Sequence, residues 1–415
     1  MAKKRPFDIV IFGATGFTGR LTALYLAQSG AKVPWAIAGR SAAKLAAVKD
    51  DLVAANEACD AVGILEADCH DLASLREMAR QARVVVTTVG PFEQYGEPLV
   101  QACILEGTDY LDITGEPQFV DRVIRRYDTE ARQKGVRIIN CCGFDSIPHD
   151  LGALYTVDAL RSRMSPEETL QLPVAVEGFV RAGGTFSGGT WQSAILGMSQ
   201  FREHARERKA ARAAGGSAAA QANGRRVRVQ QAGIKHRPEL GGWACPMPTI
   251  DPQIVRRSAK ALPEYGPDFR YGHFFLVKRL PTLLAGMVGV GALFTLAQVK
   301  ATRDLLLKVR SSGEGPDDAT RERGWFEVRF VGSAGRHRVV TAVRGGDPGY
   351  TETSKMLAES ALCLVADDKA LPKTAGVVTP AVAMGRVLTE RLQAAGLTFT
   401  EVEYAEQPAT RRKVT

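Results

Sequence analysis

Phe7-Asp8-Ile9-Val10-Ile11-Phe12 runs without a break into Gly13-Ala14-Thr15-Gly16-Phe17-Thr18-Gly19, and this stretch decides the fold. The first six residues are mostly apolar and rich in β-branched side chains, as in a strand covered on both faces of a parallel sheet. Beyond the glycines, Leu21, Leu24, Tyr25 and Ala27 recur at helical spacing, and Gly30 marks the stop. Strand, glycine turn and helix in that order are the setting in which such glycines bind a dinucleotide. Gly13 permits the tight turn, Gly16 lets the backbone approach a pyrophosphate, and Gly19 lets the helix pack on the strand. The anion then sits by Thr15, Phe17 and Thr18, where free N–H groups and the helix dipole favour negative charge. The spacing is GxxGxxG, less diagnostic than GxGxxG, and a glycine turn with no ligand is the competing reading.

The next strand, Trp35 to Ala38, ends in Gly39-Arg40-Ser41. A site for NAD would carry an acidic residue here to bind the ribose 2′-hydroxyl. Arg40, with Ser41 and Lys44 beside it, instead suits a 2′-phosphate, so the expected cofactor is NADP(H). Val62 to Leu65 reads as the third strand, and Asp68 after it either caps the next helix or meets the adenine amine, capping being preferred. Val84 to Val89 reads as the fourth strand and ends in Gly90-Pro91, a loop at the carboxyl end of a strand where cofactors bind. Tyr110 to Ile113 and Val136 to Asn140 complete six strands. The expectation is an α/β doubly wound Rossmann domain over 1–150.

The whole chain has 415 residues, with 45% apolar and 24% charged residues, which excludes a disordered or collagen-like protein. Seven scattered cysteines form no CxxC pair, and no two histidines stand at zinc-ligand spacing, so neither a disulfide scaffold nor a metal site is expected. The basic N-terminus lacks the apolar region of a signal peptide, which points to the cytoplasm. Of the net charge of +9, the stretch Arg202 to Arg228 supplies +6, from eight Lys/Arg against two Glu. Its loop-like composition favours a solvated segment over a phosphate-binding patch, and no nucleic-acid-reading motif accompanies it.

GATGFTGR, AGRS, GPFEQYGEPLVQAC, DYLDITGE and GFDSIPHD together resemble the saccharopine dehydrogenase-like oxidoreductases, and within them the trans-acting enoyl reductases. SGGTWQSA (Ser187 to Ala194) and AGVVTPAVAMGRVLTERL (Ala375 to Leu392) extend the likeness almost to the C-terminus. The resemblance implies an NADP-linked oxidoreductase with a Rossmann domain, an inserted α+β domain and final helices that return to the first. It also implies reduction of an unsaturated acyl, polyketide or lipid intermediate made by a partner synthase.

The second domain is expected over 151–345, with Val174 to Arg181 as a strand. Phe326 to Val331 and Arg338 to Val343 should form a hairpin turning at 332–335, and the sheet would floor a substrate site. Ser187 or Thr190, near a helix start after a glycine-rich turn, is a second candidate anion or carbonyl site. Residues 346–415 should supply the returning helices and a loose basic tail. Leu280 to Ala297 carries no charge over eighteen residues. It has three readings: a lipid-facing surface helix or lid, a buried helix or homodimer contact, and, weakened by Pro281 and three glycines, a membrane span. This segment favours a bulky apolar substrate over a polar amino acid.

Enoyl reduction needs a hydride at the β-carbon, a donor for the developing enolate and a proton for the α-carbon. The donor candidates are Tyr95, Ser146 and His149. Each has a plainer alternative: Tyr95 packing over the cofactor, Asp145 capping the turn, His149 as a surface residue near a helix start. Glu116 either positions the nicotinamide ribose or starts a helix. Cys141 and Cys142 read as packed thiols. An amino-acid dehydrogenase of the saccharopine type, and a non-catalytic NADP-binding protein at a lipid surface, are the competing functions.

Overall fold

The computed structural model describes residues 5–184, 191–192, 194–199, 224–230, 233–309 and 315–406. Ser187, Thr190, most of the basic stretch and the tail beyond 406 lie outside the described residues.

The first half alternates strand and helix. In chain order these are β1 (Phe7–Phe12), α1 (Phe17–Gln28), β2 (Trp35–Gly39), α2 (Ala42–Ala55), β3 (Gly63–Glu66), α3 (Leu72–Arg80) and β4 (Ala82–Thr87). They continue with α4 (Phe92–Glu106), β5 (Asp109–Asp112), α5 (Pro117–Lys134), β6 (Arg137–Ile139) and α6 (Ile147–Arg161). The strands form one parallel sheet in the order 3-2-1-4-5-6. Their unbroken apolar runs follow from burial on both faces. Ile9, Ile11, Val84, Val86, Leu111 and Ile139 pack on one side, while Val10, Phe12, Val85, Tyr110 and Ile138 pack on the other. Strand order reverses between β1 and β4, so the loops after these two strands face one crevice, the place where such sheets bind dinucleotides.

α6 carries the chain into a second layer. It is followed by α7 (Pro166–Gln171), β7 (Val174–Gly183), β8 (Arg226–Val229), β9 (Lys235–Arg237), β10 (Gly242–Pro246), α8 (Asp251–Ala261) and β11 (Asp268–Val277). Next come α9 (Leu280–Gln298), α10 (Lys300–Lys308), α11 (Asp318–Glu322), β12 (Trp325–Ala334) and β13 (His337–Gly345). β9 to β13 and β7 form a mixed sheet in which β7 lies antiparallel to β12 and parallel to β11. α6 covers this sheet closely: a Cβ at Gly152 would stand 2.3 Å from the Phe330 ring. The hairpin turns later than its composition suggests. Ser333 and Ala334 stay in β12, and the turn is Gly335-Arg336, with Gly335 at φ 58°. A positive φ at the first central residue is the glycine placement of a II′ turn.

The C-terminal segment returns as α12 (Thr351–Ala366), β14 (Gly376–Val378), α13 (Pro380–Ala383), α14 (Gly385–Ala394) and β15 (Thr398–Glu406). α12 lies on α1, tied by Tyr25 Oη donating to Glu359 Oε1 at 2.6 Å and Ser354 Oγ donating to the Thr18 carbonyl at 3.3 Å. The helices expected here are joined by two strands that were not. β14 extends the first sheet beside β6, and β15 closes the second beside β13.

Leu280 to Ala297 is helical, as α9, but the buried-core reading is overturned. Only Leu283 and Ala297 are buried, while Val288 is 74% exposed, Val290 55% and Leu284 50%.

Candidate functional site

Gly13 adopts φ 91°, which side chains with a Cβ rarely take, and its carbonyl accepts from Gly16 N at 2.9 Å. A Cβ at Gly19 would stand 2.2 Å from that same carbonyl, so α1 meets the turn at backbone contact. Thr88, just past β4, donates to it as well, at 3.4 Å. Gly16 is the N-cap of α1 and no side chain caps the helix. Its first N–H groups therefore remain available to an anion, which is the condition a pyrophosphate needs. Thr15 is exposed and Thr18 half-buried. The Phe17 ring does not face outward: it packs edge-on against Tyr350 at 4.7 Å and against Gly315, with Arg321 5.8 Å above it. Phe17 thus offers a cofactor its backbone, and its ring pins the second domain to the turn.

Arg40 is exposed at the carboxyl end of β2, and Ser41 caps α2 by accepting from Lys44 N. With no carboxylate at this strand end, the site fits a 2′-phosphate. Asp68 does not cap α3. That place belongs to Asp71, which accepts from Ala73 N, while Asp68 accepts from His70 N at 3.0 Å. This bond holds the Asp68 carboxyl below its usual value, with the Arg40 charge adding to it. Gly90 and Pro91 are half-buried between β4 and α4. Tyr95, in the first turn of α4, is half-buried and edge-on to His70 at 5.5 Å. Glu116 starts a helix, as the N-cap residue of α5, while its carboxylate accepts from Phe92 N at 3.2 Å and Glu93 N at 2.7 Å at the start of α4 across the loop.

The loop after β6 leads to the second part of the site. Ser146 and His149 are both buried, His149 being no surface residue. Neither Ser146 Oγ nor His149 Nε2 has a hydrogen-bond partner among the described residues. His149 Nδ1 lies 3.1 Å from Asp251 Oδ1 at the start of α8, and Asp251 Oδ2 lies 3.3 Å from His273 Nε2 on β11. Thr249 donates to Asp251 at 2.5 Å, and Tyr271 Oη stands 3.2 Å from His273 Nδ1. The two imidazoles approach different oxygens of one carboxylate at ion-pair distance.

The charges follow from this layout. Burial raises the cost of ionising Asp251, but the two histidines outweigh it and hold the carboxyl well below its ordinary value. Burial likewise opposes the imidazolium of His149, and Asp251 outweighs it, so His149 is raised. Burial wins at His273, which is lowered. Asp145 is pushed up to about 7 by desolvation and by the Asp251 charge. It is the member of this group with surface open to solvent, and its Oδ2 lies against Gly115 in the loop after β5. A carboxyl near neutrality beside a buried His–Asp–His chain can hold and release a proton at working pH. Cys141 and Cys142 are buried thiols pushed well above their usual range by desolvation, and so are unreactive.

Sequence reasoning passed over Asp145 except as a turn cap, and missed Asp251, His273 and Tyr271. Asp251 sits before Pro252 and reads as a helix start. The one available signal was His273, an ionisable residue in register with Phe269 and Tyr271 on the buried face of its strand.

The glycine turn and the strand-end arginine mark a nucleotide-binding oxidoreductase built of two sheets. The chain belongs to the saccharopine dehydrogenase-like oxidoreductase family. Residues 9–139 match the saccharopine dehydrogenase NADP-binding domain family. A Mycobacterium tuberculosis protein provisionally named a trans-acting enoyl reductase is 38% identical over 97% of this chain and 99% of its own length. A Mus musculus protein named saccharopine dehydrogenase-like oxidoreductase is 32% identical over the same shares. The fold is that of apo saccharopine dehydrogenase (L-Glu forming) from Saccharomyces cerevisiae, at TM-score 0.52 and 12% identity, covering 96% of this chain and all of that one. NADP(H) is accordingly the cofactor, in agreement with Arg40.

Proposed function

We propose that the protein is a trans-acting enoyl reductase, reducing a C=C bond of an acyl, polyketide or lipid-like intermediate that a separate synthase supplies in the cytoplasm. The observation that carries this reading is the placement of Asp145, half-exposed beside the buried His149–Asp251–His273 cluster, at the end of the sheet where the glycine turn lies. The 38% identity to a relative provisionally given the same activity supports it.

NADPH would supply the hydride for the β-carbon. The first turn of α1 would hold its pyrophosphate, and Arg40 and Ser41 its 2′-phosphate, with Gly90 and Pro91 bordering the crevice. Asp145 gives its proton to the α-carbon, and His149, held charged by Asp251, restores it. Tyr95 packs at the crevice wall as a positioning residue. The balance is one hydride and one proton added across the double bond.

The test is NADPH oxidation by the purified chain with enoyl thioesters of graded length. Saturated thioester formed in step with NADP⁺ is the expected result. Turnover only with an amino acid and an oxo acid would overturn it in favour of saccharopine-type chemistry.

A further inference from the structure

A helix that is apolar all round is normally buried in a protein or in lipid. α9 is apolar all round, and its most apolar 18-residue window is only 11% buried. Its flanks are cationic. Lys278 and Arg279 precede it, and Lys300, Arg303 and Lys308 follow it, against a single acid, Asp304, which pairs with Lys300 at 2.7 Å.

A crossing of the bilayer does not fit the topology. Nineteen residues of helix reach about 28 Å, roughly the thickness of a hydrocarbon core, so a span would carry the C-terminal end of α9 to the far side. That end is instead tied to residues 191–199, and by Gly315 the chain is back against the Phe17 ring of the first domain. Gln298 donates to the Met198 carbonyl at 2.7 Å, and Trp191 donates to the Leu306 carbonyl on α10 at 2.7 Å. The N-terminal end follows directly from β11 of the second sheet, and Leu283 is buried there. Both ends stay on one side of any membrane.

We propose that α9 lies flat in the interface of an anionic lipid membrane, its exposed Leu284, Met287, Val288 and Val290 among the acyl chains and its five flanking cations against lipid phosphates. Attachment of both ends and cations at both ends keep the helix on one side of the bilayer, and its lack of a polar face sets it below the lipid phosphates, deeper than an amphipathic surface helix.

The test is flotation of the full chain with vesicles of phosphatidylcholine, with and without phosphatidylglycerol. Binding to the anionic vesicles, weakened by salt, is expected. Lys300→Ala and Arg303→Ala should each lower partitioning about fivefold, the effect of one surface cation. V288E together with V290E should abolish it while leaving NADPH affinity unchanged, which shows that the variant is folded. Failure of the wild-type chain to float with either vesicle overturns the proposal. So does a dimer in solution that the paired glutamates dissociate, which would make a second copy the occupant of this face.

Discussion

His149 Nδ1 lies 3.1 Å from Asp251 Oδ1, and the pair joins the first turn of α6 to the first turn of α8. A buried ion pair is weak evidence of net stability, yet removing one partner leaves the other charge desolvated. Asp251→Ala should therefore lower the unfolding free energy by about 3–5 kcal/mol, measured by urea titration. The signs fix the pH window. Asp251 is lowered, so its contribution is present above the unfolded value of about 4 and lost as pH falls through the folded one. His149 is raised, so its contribution is complete below about 6.5 and lost as pH rises through the folded value. The deficit of the variant should be greatest between these limits, and a deficit independent of pH would refute the pairing.

The proposed acid, Asp145, must carry its proton to act. With its carboxyl at about 7, kcat/KM for the enoyl substrate should fall as pH rises above neutrality. Asp145→Asn should lose about 10²–10⁴ in kcat/KM, bind NADPH normally and show no such limb. An unaltered pH profile in the variant would assign the proton elsewhere.

Arg40→Ala should cost roughly 2 kcal/mol in NADPH affinity, about thirtyfold, as for a charge-assisted contact. NADH binding should hardly change. Calorimetric titration with each cofactor separates the outcomes, since an equal loss for both would remove the 2′-phosphate from Arg40.

At Gly19 even a methyl group overlaps the Gly13 carbonyl. Gly19→Ala should push α1 off the turn, lowering stability by about 1–3 kcal/mol and weakening NADPH and NADH alike. Thermal unfolding with and without cofactor checks this, and a variant that gains the full NADPH-induced rise in Tm would contradict it.

The Rossmann half was legible because each of its decisions is local. β1 is apolar throughout because both its faces are buried, and Gly13, Gly16 and Gly19 follow within one turn. Arg40 stands where the fold always presents the end of β2. The relay was not legible, because Asp251 and His273 meet His149 only through packing of α8 and β11 around α6, which no short-range pattern encodes. Capping was misread for a related reason. Asp68 and Asp71 are both good caps by composition, and only the backbone path chooses Asp71. Glu116 shows the same effect at long range, reaching across a loop to cap α4. The two late strands, β14 and β15, were hidden because β14 pairs over only three residues, and because β15, though rich in β-favouring residues, is mostly exposed and carries Glu401, Glu403 and Glu406.

Those two strands impose an order on biosynthesis. β14 supplies an edge of the nucleotide-binding sheet, and β15 supplies an edge of the other, though both are encoded after residue 375. A nascent polypeptide leaving the ribosome therefore holds two unfinished sheets until its last tenth emerges. The exposed edges of β6 and β13 are meanwhile open to wrong partners. An excised N-terminal fragment would inherit the same defect permanently, lacking β14 along β6 and α12 over α1.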